Sequence, residues 1–144
     1  MAVTPVISLK PLKNLYRRGH FVPVDRTAFE GINVTSQTLA TLGAIHKEDY
    51  DTILFQFIIG AENIEFEIYG SALDDDSHGD DMPNDPPPED DSNEWLLLPE
   101  GAFTGVTNGS VARLINDRYT WIMVRYKLAA PAPVSTFTVR IRAD

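Results

Sequence analysis

The chain contains no cysteine. That excludes a disulfide framework, a thiolate metal site and a cysteine nucleophile, so stability must come from packing or from assembly. Long apolar runs are also missing. The longest, residues 53–59, is interrupted by Gln56 and falls far short of the roughly 20 residues that cross a bilayer as a helix. The first residues hold no apolar stretch of signal-peptide length, so the expectation is a chain made in the cytoplasm and kept soluble. Histidine is scarce: only His20, His46 and His78 occur, and none adjoins a serine-centred nucleophile motif. Gly105, Gly109 and Ser110 do not make a phosphate-binding loop.

What is present is enough for one core. The chain has 144 residues, 43% of them hydrophobic, and a domain of about 150 residues buries roughly two-thirds of its unfolded surface. The net charge is −9, spread unevenly. Residues 74–94 hold ten of the 21 acids, whereas the first 30 residues carry Lys10, Lys13, Arg17, Arg18 and Arg26 against Asp25 and Glu30. Overall acidity argues against nucleic acid as a partner, because phosphate binding needs clustered Lys and Arg. A basic arm and an acidic loop on one chain suit charge-complementary contacts with other proteins.

Residues 1–31 read as an extended arm. Pro5, Pro11 and Pro23 remove backbone donors and discourage helix and central strand, while Val6, Ile7, Leu12, Leu15 and Tyr16 need a surface to lie on. That surface is either the arm's own domain or a neighbouring subunit. Residues 32–144 read as a β-sandwich domain. A strand is expected over residues 32–42, with a turn at Gly43, and residues 38–47 are the one window compatible with a short helix.

Residues 52–59 suit a central strand buried on both faces. Residues 64–69 alternate strictly, with Ile64, Phe66 and Ile68 inward and Glu65 and Glu67 outward. The two runs read as an antiparallel hairpin. Residues 71–93 are an acidic, Pro-rich loop insertion with too little apolar surface to repay its ordering entropy.

Trp95 to Leu98 return to the core, residues 99–101 turn the chain, and Asn108-Gly109 signals a tight turn. Ile122, Val124 and Tyr126 lie on one face of the next strand, with Trp121, Met123 and Arg125 on the other. In the last strand Phe137, Val139 and Ile141 face inward. Short strands joined by turn signals indicate an all-β sandwich or barrel.

The run from Trp95 and its leucines, through Tyr119-Thr120-Trp121-Ile122-Met123-Val124-Arg125-Tyr126, to Phe137-Thr138-Val139-Arg140-Ile141-Arg142 resembles the jelly-roll capsid decoration (cement) proteins of tailed bacteriophages. The resemblance covers roughly residues 50–144 and is one of strand pattern, shared with tail-fibre sandwiches and some carbohydrate-binding modules. It implies a non-enzymatic virion protein on the capsid exterior, bound to the major capsid protein, often as a homotrimer. It also implies an N-terminal arm that locks neighbouring capsid subunits, here Lys10, Lys13, Leu15, Tyr16, Arg17 and Arg18. The acidic insertion departs from the simplest members. The alternative is a receptor- or carbohydrate-binding sandwich of a tail fibre or cell surface.

Other candidate sites are weaker as chemistry. Asp74, Asp76, Asp80 and Asp85, with His78 and Gly79, partly match calcium-loop spacing. However, His78 replaces an oxygen ligand, Asp85 replaces the terminal glutamate, and flanking helices are missing. The expectation is a solvated acidic loop with no bound metal or cofactor. Trp95 and Trp121 are the aromatics a sugar would stack on, yet both sit in apolar strands and are expected in the core. Glu65 and Glu67 are solvent-facing strand positions rather than a desolvated carboxylate pair.

Overall fold

Period-two alternation of apolar and polar side chains builds the strands. The structure is a computed structural model that describes residues 4–7, 24–47, 50–60, 64–73, 86–104, 109–117, 119–131 and 135–143. Its strands are β1 Val24–Val34, β2 Ala40–His46, β3 Ile53–Ile59, β4 Ile64–Ser71, β5 Leu96–Thr104, β6 Ser110–Ile115, β7 Trp121–Leu128 and β8 Ser135–Ala143. They form two four-stranded antiparallel sheets, ordered β1-β8-β3-β6 and β2-β7-β4-β5, packed face to face around one core.

The pairing follows a simple rule. β1 pairs with β8, β2 with β7, β3 with β6 and β4 with β5, so the first strand meets the last and the order closes inward. The further pairs β3 with β8 and β4 with β7 roll this ribbon into two sheets. That is the wiring of a jelly-roll β-sandwich, the fold class expected from the sequence.

Alternation assigns the core correctly. Ile53, Phe55, Phe57 and Ile59 of β3 are buried, as are Ile64, Phe66 and Ile68 of β4 and Phe137, Val139 and Ile141 of β8. Phe57 and Phe66 meet across the sandwich with ring centroids 4.6 Å apart. Phe103 and Phe137 pack on Phe66 at 5.3 and 5.1 Å.

Several local expectations change. β3 and β4 are not a hairpin: they lie in opposite sheets, because their apolar faces bury more surface against each other than side by side. β3 is central but buried on one face only, since Leu54 is exposed. Residues 38–47 are not helical; they contain β2, and Gly43 (φ 130°) lies beside a register shift within that strand instead of turning the chain. Residues 99–101 likewise stay inside β5, as a bulge in an edge strand with Glu100 at φ 58°, where a proline costs no ladder bond. Arg113 of β6 closes over that bulge, its Nε donating to the Glu100 carbonyl at 3.2 Å and its guanidinium lying 4.3 Å from the Phe103 ring centre. β1 begins at Val24, paired with Ala143, so residues 24–31 belong to the sandwich rather than to the arm.

Phe66 touches Phe57, Phe103 and Phe137, whereas Leu114 is largely exposed. Phe66→Ala is expected to lower unfolding free energy by about 3–5 kcal/mol. Leu114→Ala should change it by less than about 0.5 kcal/mol. Urea denaturation of both variants checks this; equal losses would remove Phe66 from the centre of the core.

Candidate protein-interaction site

The two outer sheet faces are treated differently by the chain. On β7 the residues opposite the core, Trp121 and Met123, are as buried as Ile122 and Val124. With Ala44, Trp95 and the half-buried Tyr69 they form a second apolar cluster. Residues 86–95 supply its cover. Pro86 and Pro87 are buried, and Trp95 Nε1 donates to the Pro88 carbonyl at 3.0 Å and the Pro87 carbonyl at 3.3 Å. Asp91 sets the turn: its carbonyl accepts from the Glu94 and Trp95 amides and its Oδ1 from the Asn93 amide. Pro86 and Pro87 are thus packed, a correction at those positions to the solvated insertion read from residues 71–93, whereas Asp90, Ser92 and Asn93 are exposed and residues 74–85 lie outside the described residues. The apolar content of that stretch is low, but its prolines and the adjoining Trp95 provide the surface.

The N-terminus joins this cover. Residues 5–7 lie beside β2, with Val6 bridged in parallel to Ala44. The Ala44 amide donates to the Pro5 carbonyl and the Ile7 amide to the Ala44 carbonyl, both at 2.8 Å. Thr4 Oγ1 donates to the Pro87 carbonyl at 2.7 Å. This part of the arm lies on its own domain.

Polar residues continue the same face. Glu67 stands opposite Arg125 in register, and the Tyr69 hydroxyl donates to Glu67 Oε1 at 2.5 Å. Desolvation, then the bond to the Glu67 carboxylate and its charge, push Tyr69 from 10.0 up to about 12, while Arg125 pulls the other way. Lys127 and Glu65 form an ion pair at 3.5 Å, both ends partly exposed, which contributes at most about 1 kcal/mol.

The outer face of β1-β8-β3-β6 has no such cover among the described residues. Arg142, Leu54 and Leu114 align in one cross-strand row, and Arg140, Gln56 and Ala112 in the next. Leu54 is 38% and Leu114 59% exposed. Two guanidiniums on β8 thus stand along one side of this apolar pair, on a chain of net charge −9. Contiguous exposed apolar surface rimmed by polar groups marks interaction sites.

At one end of the sandwich a cavity of about 410 Å³ is lined by Tyr50, Asp51, Asn116, Tyr119 and Lys47. Lys47 is buried, its Nζ donating to the Asp51 carbonyl at 2.7 Å and the Tyr50 carbonyl at 3.4 Å, so its charge fixes the β2–β3 connection. Asp51 is the one carboxylate among its described lining residues.

Of the residues singled out from the sequence, Trp95 and Trp121 are 5% and 4% exposed, as expected of core residues, although in the second cluster rather than the main one. The arm residues Lys10, Lys13, Leu15, Tyr16, Arg17 and Arg18 lie outside the described residues, as do Asp74, Asp76, Asp80 and Asp85. The row Arg142, Leu54, Leu114 was missed. Its signal was the apolar Leu54 and Leu114 at polar positions of two alternating strands. Compared with known protein families and with curated proteins, the chain finds no match; its fold defines a jelly-roll sandwich, and its function is argued from these surfaces.

Trp95 Nε1 has two acceptors, whereas Trp121 Nε1 is buried without a partner among the described residues. Trp95→Phe is therefore expected to cost about 1–2 kcal/mol more than Trp121→Phe in chemical denaturation; the reverse order would mean the proline carbonyls do not hold the cover. Tyr69 retains its proton above its ordinary value in the folded chain, so its stabilising contribution is intact below pH 10.0 and is lost as pH rises towards 12. Phenolate absorbance should show one tyrosine titrating near 12, shifted down but still above 10.0 in Glu67→Gln, because burial is the largest cause.

Proposed function

We propose that this chain is a non-enzymatic structural protein of a phage virion that binds the outer surface of the capsid and stabilises the assembled shell as a trimer. The observation that carries the reading is the row of Arg142, Leu54 and Leu114 beside Arg140, which no described residue covers. One sheet face is partly covered by the chain's own residues 86–95; the other offers the exposed Leu54 and Leu114 with Arg140 and Arg142 beside them on β8, suited to an acidic protein surface. The strand-pattern resemblance to decoration proteins supports the same reading, and the basic arm with Lys10, Lys13, Arg17 and Arg18 supplies further contacts of that charge.

The mechanism is linkage. A subunit that binds the assembled shell and not its dissociated parts stabilises the shell in proportion to its occupancy. Three copies engaged together add avidity without new contacts. The alternative, a carbohydrate-binding sandwich, loses the stacking platform the sequence offered, because Trp95 and Trp121 are buried.

Purified protein mixed with bare phage heads is expected to co-sediment saturably and to raise the temperature at which the heads disrupt. Leu114→Asp and Leu54→Asp should each weaken that binding about tenfold or more while the sandwich stays folded. Removal of residues 1–23, which stops short of β1, should also abolish binding. Undiminished decoration by the leucine variants would discard the face, and the absence of any binding by the folded protein would discard the role.

A further inference from the structure

β2 is an edge strand, and unpaired edges invite other strands. Residues 4–7 occupy this one as a small, self-contained unit. Two main-chain hydrogen bonds join Pro5 and Ile7 to Ala44, Ile7 is buried, and Thr4 caps the unit on the Pro87 carbonyl. Val6 points away, 55% exposed. The seat is shaped for this segment. Gly43 has φ 130°, and a Cβ there would stand 2.8 Å from Ile7 Cγ1 and 3.0 Å from the Pro5 carbonyl oxygen.

The tether behind the unit is longer than its task. Val24, where β1 starts, pairs with Ala143, which also pairs with Ile53 at the start of β3; β2 finishes nearby, at His46. Both ends of the tether therefore lie at one end of a sandwich whose sheets are about 10 Å apart. Residues 8–23, sixteen in number, reach up to about 55 Å when extended. A compact strand on a tether of that reach can seat on its own β2 edge or on another molecule's with the same contacts.

We propose that residues 4–7 are an exchangeable strand, and that the slot between Gly43 and Pro87 is a docking site for residues 4–7 of a second copy of this chain. A second copy is the occupant because every feature of the slot matches this segment: Gly43 makes room for Ile7, Ala44 offers the two backbone groups, and Pro87 accepts from Thr4. In dilute solution the tethered segment prevails, since its effective concentration is on the order of millimolar. Exchange sets in where copies are crowded to that level. The inference stands on the isolated protein and does not depend on the capsid reading.

The test needs no engineered background, because the chain has no cysteine. A spin label on Val6→Cys in isotopically unlabelled chain is mixed with untagged, isotope-labelled chain at concentrations rising to about millimolar. The Gly43 and Ala44 amides of the labelled chain are expected to lose intensity progressively, and Gly43→Ala in the labelled chain should abolish the loss at Ala44 while its spectrum still reports the fold. No loss at any concentration would make the strand a fixed clip, and a loss insensitive to Gly43→Ala would make it random collision; either result overturns the proposal. Failure to decorate phage heads would leave this outcome untouched, so the two ideas fail separately.

Discussion

Phe57 and Phe66, 4.6 Å apart, belong to strands consecutive in the chain, yet they face each other across the sandwich rather than along a shared ladder. Each strand has one strongly apolar face, and a two-stranded hairpin would leave both faces in water. Setting β3 against β4 buries them on one another, with Phe103 and Phe137 closing the sides. With those two strands in different sheets, neither serves as the other's hydrogen-bonding partner, and each pairs with strands from later in the chain. β3 then takes β6 and β8, and β4 takes β5 and β7. The closing-inward order of the jelly roll is consistent with that contact and is completed by β1 on β8 and β2 on β7.

This explains which parts of the fold were legible in the sequence. Inward residues of β4 and β8 could be named from alternation, because burial on one face writes itself as a period of two. Partner choice could not, since hairpin and cross-sheet pairing leave the same local pattern around the short connection after Ile59. Gly43 and the 99–101 stretch look like turns for a related reason. A bulge and a turn both call for residues that tolerate positive φ or a missing amide hydrogen, and only the strand beyond tells them apart.

The site was legible in proportion to how much a surface departs from its strand's own pattern. Leu54 and Leu114 break alternation and thereby mark the uncovered face. The second cluster left a plainer trace: β7 is apolar on both sides at Trp121, Ile122, Met123 and Val124, which requires cover on both sides. What the sequence concealed was the source of that cover. It comes from the far end of an acidic loop whose composition alone reads as solvent-loving, with Thr4 tied to it at Pro87 from an arm that the sequence places either on its own domain or on a neighbour.

The cover is also made of an unusual backbone. Pro86, Pro87 and the half-buried Pro88 carry three carbonyls and not one amide hydrogen, so the run offers only acceptors. An ordinary segment pressed on the Trp121 cluster would bring amide hydrogens that each need a partner or cost about 1–3 kcal/mol. The proline run brings none, and the donors it receives are supplied from outside, by the Trp95 indole, the Thr4 hydroxyl and the Asp91 amide. Pro87 takes the first two. Its single oxygen therefore pins the chain's beginning to its middle, holding the Thr4 hydroxyl and the Trp95 indole at one point, so that two segments more than eighty residues apart share one acceptor.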